Sequence, residues 1–219
     1  MKKHFFLIVI LSYSINIMAQ KIIDYKGKKI NELDNNNNKT GVWKLFDEQK
    51  KILITSSFVD DNFVSDTNFY KDSILIASYN NKDKLKIFKD SEIIICNFFR
   101  KEDKSQTLID LNGKEIDNDI LKFYYLNVGE VMPMFYGGKS KLYEFISNNF
   151  NSKGNRGKLK IEFYVDTKGF TTQIKVVEST NEKLNDEAIR IISILPRWQP
   201  GFQGGEFVNV FYRLPITIN

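Results

Sequence analysis

"LPRWQPGFQGGEFVNVFYRLPI", residues 195–216, holds three of the four prolines of this 219-residue chain and one of its two tryptophans. Proline fixes φ and lacks an N–H, so Pro196 stops any helix ahead of it, and Pro200-Gly201 turns the chain. Trp198, between the two prolines, is read as the ring that packs this connector onto a core. Beyond the turn, Val208, Val210, Tyr212, Leu214 and Ile216 alternate with Phe207, Asn209, Phe211 and Arg213. That is the period of a strand with one buried face.

The residues before this stretch carry the same kind of pattern. "KLKIEFYVD" (158–166) alternates, "TKG" (167–169) turns the chain, and "FTTQIKVVES" (170–179) returns in phase, which predicts a hairpin with one buried face. "NDEAIRIISILP" (185–196) predicts a helix with Asn185 as its cap, two acids in its first turn and Pro196 as its stop. "GGKSKLYEFISNNF" (137–150) places Leu142, Phe145, Ile146 and Phe150 at helical spacing after two glycines. The order helix, strand, strand, helix, strand predicts an α+β domain in which two helices pack on a small three-stranded antiparallel sheet.

Residues 20–126 read differently. "GVWKLF" (41–46), "KILITSSFV" (51–59), "DSILIASY" (72–79), "KLKIF" (84–88) and "EIIICNFF" (92–99) are β-branched and aromatic runs separated by Asp, Asn and Lys. They predict an all-β, hairpin-rich domain. Its spacing resembles the looser hairpins of the MORN type, in which a Gly-x-Trp segment such as Gly41-Val42-Trp43 opens a hairpin. "LNVGEVMP" (126–133) marks the boundary, with the second domain over 131–219.

From Val131 to Ile218 the sequence resembles the C-terminal domain of the TonB family. The resemblance rests on Met132-Pro133-Met134-Phe135-Tyr136-Gly137-Gly138, on Gly157, Asp166 and Gly169 around the hairpin, and on "IKVVES" (174–179). Asp186-Glu187-Ala188, the connector Pro196-Arg197-Trp198-Gln199-Pro200-Gly201, and Val208, Val210, Tyr212, Leu214 and Pro215 complete it. The resemblance implies a binding module rather than an enzyme. It implies a periplasmic domain that takes the N-terminal segment of an outer-membrane receptor as an added strand, in TonB-dependent transport. An open sheet edge suits that mode, because an extended peptide satisfies its unpaired N–H and C=O groups. The expected acceptor is the strand Phe207, Val208, Asn209, Val210, Phe211, Tyr212, Arg213 and Leu214. Pro215 limits how far pairing can run. The alternative reading is an envelope scaffold that self-associates, as a homodimer, through the same edge.

The chain departs from the family's energy-transducing members in two respects. They carry a Pro-rich spacer, whereas no proline precedes Pro133 here, and Phe150-Asn151 stands where Tyr-Pro is usual.

Composition narrows the chemistry. "MKKHFFLIVILSYSINIMAQ" has the charged, apolar and small-residue layout of a secretory signal, with cleavage expected after Ala19 and a mature protein in the periplasm; the alternative is an uncleaved segment that anchors the chain in the inner membrane. The single histidine, His4, lies inside it, and the single cysteine, Cys96, lies in an apolar run. A mature chain without histidine and with one cysteine builds no disulfide, no zinc site of the His or paired-Cys kinds and no Ser-His-Asp triad. No metal, cofactor or catalytic residue is expected; adjacent acids such as Asp60-Asp61 read as a solvated loop. The formal charge of +5 becomes +3 without Lys2 and Lys3, 30 basic against 27 acidic residues, too even a balance for nucleic acid.

Overall fold

The computed structural model describes residues 23–82, 84–100 and 106–219. The apolar run and the cleavage site expected from the sequence lie outside these residues. In chain order the elements are β1 (Ile23–Tyr25), β2 (Lys28–Ile30), β3 (Gly41–Asp47), β4 (Ile52–Val59), β5 (Asn62–Phe63), β6 (Thr67–Lys71), β7 (Ile74–Tyr79), β8 (Lys84–Lys89), β9 (Glu92–Arg100) and β10 (Gln106–Ile109). There follow α1 (Asn118–Asn127), β11 (Glu130–Val131), α2 (Gly138–Asn149), β12 (Gly157–Val165), β13 (Thr171–Ser179), α3 (Asn185–Ser193), β14 (Gly201–Gln203), β15 (Glu206–Val208) and β16 (Val210–Ile218). The protein is α+β with antiparallel sheets throughout, the predicted class.

The chain divides into two compact units. The large-sheet unit comprises Ile30–Pro133 together with Pro200–Val208. Its main sheet runs β10-β9-β8-β7-β6-β4-β3, with β5 added on β4. Three of its hairpins turn on residue pairs with φ above zero at both positions: Asp60-Asp61, Asp72-Ser73 and Asp90-Ser91. Such turns match the right-handed twist of the strands they join, and Asp tolerates the left-handed region better than bulkier residues. Strand alternation then buries Leu45, Ile52, Ile54, Phe69, Leu85, Ile87 and Cys96 on one face. Each fully buried aliphatic or aromatic side chain contributes about 1.5–3 kcal/mol.

Helix α1 was not predicted; residues 20–126 read as β throughout. Asp117 caps it by accepting from the Asp119 N–H at 2.8 Å, and Tyr124 is buried in the same core as Phe69.

The helix-backed unit comprises the described residues up to Lys29, Met134–Gln199 and Asn209–Asn219. Its sheet runs β13-β12-β16, with β12 in the middle. Leu159, Ile161, Phe163 and Val165 of β12 and Leu214 and Ile216 of β16 meet Leu142 and Ile146 of α2 and Ala188, Ile191 and Ile192 of α3 in one core. Asn185, expected as the cap of α3, is instead its first residue. A 3-10 turn over Glu182–Leu184 precedes it, and there the Asn181 side chain accepts from the Lys183 N–H at 3.2 Å.

The connector corrects the sequence reading most. A continuous strand from Phe207 was expected, but the chain breaks at Asn209. β15 pairs with β14, which pairs with β11, and only β16 joins β12. The segment 200–208 thus packs with residues 30–133 rather than with its sequence neighbours. The physical cause is side-chain demand. Phe202 is fully buried beside Phe69, with ring centroids 5.8 Å apart, and Phe207 lies edge-on to Trp43 at 5.8 Å and to Phe58 at 5.6 Å.

Candidate functional site

The candidate site is the outer edge of β16. Among the described residues β16 pairs with β12 alone, so the far edge of this strand carries no partner strand. Its register with β12 is unbroken from Gly157↔Ile218 to Val165↔Val210, with Lys160 opposite Pro215. In an antiparallel ladder opposite residues alternate between pairs that exchange hydrogen bonds and pairs that do not. Proline has no N–H to exchange, so Lys160↔Pro215 is of the second kind. The N–H and C=O groups of Phe211 and Arg213 therefore point away from β12, as does the Pro215 carbonyl. In agreement, that carbonyl accepts from the Tyr143 Oη of α2 at 3.3 Å.

This geometry gives the edge a length. Phe211 and Arg213 each present a donor and an acceptor. At Pro215 the donor is missing and the acceptor is already engaged by Tyr143. An added strand can thus form its ladder over Val210–Leu214 before meeting an obstacle. Further along, the end of β16 and α2 flank an open pocket of about 460 Å³ lined by Tyr143, Phe150 and Ile218 together with the polar Ser147, Ser152 and Thr217.

The solvent face beside this edge is polar and aromatic. Phe211 is 45% exposed and lies edge-on to Tyr164, with centroids 5.6 Å apart. The Arg213 guanidinium donates to a Glu162 carboxylate oxygen directly across on β12, and Lys160 pairs with Glu178 of β13. These pairs are exposed, where ion pairs contribute little to stability.

The predicted site residues separate into two groups. Val210, Phe211, Tyr212, Arg213 and Leu214 lie on β16, with Leu214 buried and Tyr212 half-buried beneath the sheet. Phe207 and Val208 lie on β15, a strand of another sheet, and Phe207 sits in the large-sheet unit's aromatic cluster. Asn209 joins the two strands, and its Oδ1 accepts from the Thr167 N–H at 3.1 Å.

The motif residues hold the sheet and connector in place. Trp198 is 1% exposed among Phe135, Phe163 and Tyr212, with centroids 5.4, 5.9 and 4.9 Å away. Its N–H donates to the Gly169 carbonyl at 2.8 Å. Gly169 has φ +90°, and a β-carbon there would lie 2.0 Å from the Trp198 carbonyl oxygen, so no other residue fits. Gly137 precedes α2 at φ +87° and leads into Gly138, while Gly157 opens β12. Met134 and Gln199 exchange backbone hydrogen bonds at 2.8 and 3.1 Å, tying the stretch after Pro133 to the stretch before Pro200 and Gly201. Pro196 lies beyond the end of α3. Arg197 is 2% exposed; its Nε donates to the Lys168 carbonyl at 2.9 Å, and burial lowers its pKa to about 10. Sequence reasoning gave Arg197 no role of its own, and nothing in its spacing marks it as buried.

Other chemistry is sparse. Asp60-Asp61 form a hairpin turn in which Asp61 accepts from the Lys39 N–H at 2.7 Å. Cys96 is fully buried, and burial pushes its thiol pKa up to about 11. Among the described residues no cluster of His, Cys, Asp or Glu could hold a metal ion.

A small antiparallel sheet with two helices on one face and a strand edge open at the side defines an α+β domain. Residues 148–218 match the family described as the Gram-negative bacterial TonB protein C-terminal. No curated protein and no solved structure matches the chain. No described helix is long and apolar enough to cross a membrane.

Proposed function

We propose that the helix-backed unit receives the periplasmic N-terminal segment of an outer-membrane receptor as a fourth strand on β16, in TonB-dependent transport. The observation that carries this reading is the open edge at Phe211 and Arg213, within a segment that matches the TonB C-terminal family. Main-chain pairing there supplies affinity that tolerates many sequences, and the alternate side chains of the added strand supply selectivity. The reading assigns the protein to the periplasm and gives it no catalytic step and no cofactor.

A pull-down tests it. The protein is offered the N-terminal segments of receptors from its own organism, beside an authentic energy transducer as positive control. Retention of a segment by wild type and not by Arg213→Pro supports strand addition at this edge. Failure to retain any segment that the control retains contradicts it.

A further inference from the structure

The face of the large sheet opposite its core carries two side-chain rows that run across the strands. In the first, Lys44, Thr55, Asn68, Ser78, Lys86 and Ile95 stand in direct register across β3, β4, β6, β7, β8 and β9. In the second, Phe46, Leu53, Tyr70 and Leu75 stand in register across β3, β4, β6 and β7, and Phe88 faces Ile93 across β8 and β9. The first row is thus polar up to Ile95, with a lysine on β3 and another on β8, and the second is apolar in two stretches, one across β3 to β7 and one across β8 and β9.

Exposure and charge say what this face suits. Ile93 is 63% exposed, and Leu75 and Ile95 are each 37% exposed. Neither row contains an aspartate or glutamate, and neither Lys44 nor Lys86 has an ion-pair partner among the described residues. Asp47, Asp72 and Asp90, at hairpin ends, are already paired with Lys50, Lys51 and Lys89, and the acid that touches the first row is Asp66, which accepts from the Ser78 hydroxyl at 3.3 Å. The face thus sets an apolar row beside a row whose two lysines have no ion-pair partner among the described residues.

We propose that this face lies on an anionic lipid surface. Burial of apolar side chains plus attraction to acidic headgroups is what holds a protein at a membrane interface without spanning it. Tyr70, with a polar tip on an apolar ring, favours the headgroup level, Phe46 and Phe88 add apolar area, and Lys44 and Lys86 can lie along the apolar row with their ammonium groups among the phosphates. A second copy of the chain fits poorly, because face-to-face pairing sets Lys44 and Lys86 against their own counterparts. A protein partner fits less well too: interface cores favour arginine and are depleted in lysine, and this face has lysine alone.

The test uses the full chain with an environment-sensitive fluorophore on Ile93→Cys, and a second label on Leu75→Cys, mixed with phosphatidylcholine vesicles with and without phosphatidylglycerol. Both labels should shift to the blue with phosphatidylglycerol vesicles only, and the shift should fade as salt is raised. Reversing both lysines, Lys44→Glu with Lys86→Glu, should weaken partitioning by roughly tenfold or more. The proposal fails if the protein floats with vesicles while both labels stay in water, for then the N-terminal apolar run alone holds it. It also fails if uncharged vesicles give the same shift, or if polyglutamate shifts the labels and vesicles do not, which would assign the face to an acidic protein.

Discussion

The Trp198 carbonyl oxygen occupies the space that a β-carbon on Gly169 would fill, 2.0 Å away, while the Trp198 N–H donates to the Gly169 carbonyl at 2.8 Å. The turn of the β12–β13 hairpin and the connector are thus fitted backbone to backbone. Neither can shift without the other. Because Trp198 also fills the core under β12 and β16, the position of the open edge depends on this contact.

Gly169→Ala should therefore destabilise the helix-backed unit by about 3 kcal/mol or more, through both the clash and the positive φ. Urea unfolding followed by tryptophan fluorescence measures it. A loss under about 1 kcal/mol would mean that the connector relaxes freely.

Trp198→Ala should cost about 3–5 kcal/mol, the usual range for removing a large buried aromatic. Trp198→Phe should cost distinctly less. The indole Nε1 of Trp198 is buried with no hydrogen-bond partner among the described residues, and the phenyl ring removes that donor while keeping most of the apolar volume. Equal losses in the two variants would show that the ring volume kept by phenylalanine contributes nothing at this position.

Phe207 lies in the aromatic cluster around Lys39, whose ammonium sits 4.9 Å from the Phe207 ring, 5.4 Å from Phe58 and 5.5 Å from Trp43. Phe207→Ala should lower the stability of the large-sheet unit by about 3–5 kcal/mol. Where the protein remains folded, affinity for an added strand should stay within about twofold. A direct loss of affinity in folded protein would return Phe207 to the acceptor strand.

Glu187 titrates below the usual carboxylate range, chiefly because Arg190 donates to it, with further help from the Asn151 N–H at 2.7 Å. An acid with a lowered folded pKa adds stability above its unfolded pKa of about 4.3 and loses it as pH falls through the folded value. The acid limb of the stability profile should thus be shallower in Glu187→Gln than in wild type. Parallel profiles below about pH 4 would show that Glu187 contributes nothing there.

Much of this fold is legible in residue pattern, and the exceptions share a cause. Strands β3, β4, β7, β8 and β9 announce themselves by alternation between Asp, Asn and Lys turns, because both signals are local. The hairpin of β12 and β13 and the helices α2 and α3 are legible for the same reason. The break at Asn209 is not. Alternation runs straight through Phe207, Asn209, Phe211 and Arg213, and period alone cannot reveal that the first of these belongs to another sheet. That choice is set by Trp43, Phe58 and Phe69, more than a hundred residues away in sequence. Helix α1 was missed because Ile120, Leu121, Phe123, Tyr124 and Leu126 form a nearly continuous apolar run, which fits either element. Val210–Leu214 could be picked as strand from sequence, but the openness of its edge depends on strand order, and its length on the contact of Tyr143 with Pro215.

Amide hydrogen exchange of the helix-backed unit, with and without a receptor N-terminal segment that the protein retains, tests the central claim most directly. Tyr212 and Leu214 pair with β12 already, so their amides should be protected in both states. The Phe211 and Arg213 amides should exchange readily alone and become protected with the segment, and Arg213→Pro should abolish the effect while Arg213→Ala, which removes the ion pair with Glu162 but keeps the outward-facing N–H, should retain it. Unchanged exchange at Phe211 and Arg213 in the complex, or protection along β13 instead, would contradict strand addition on β16.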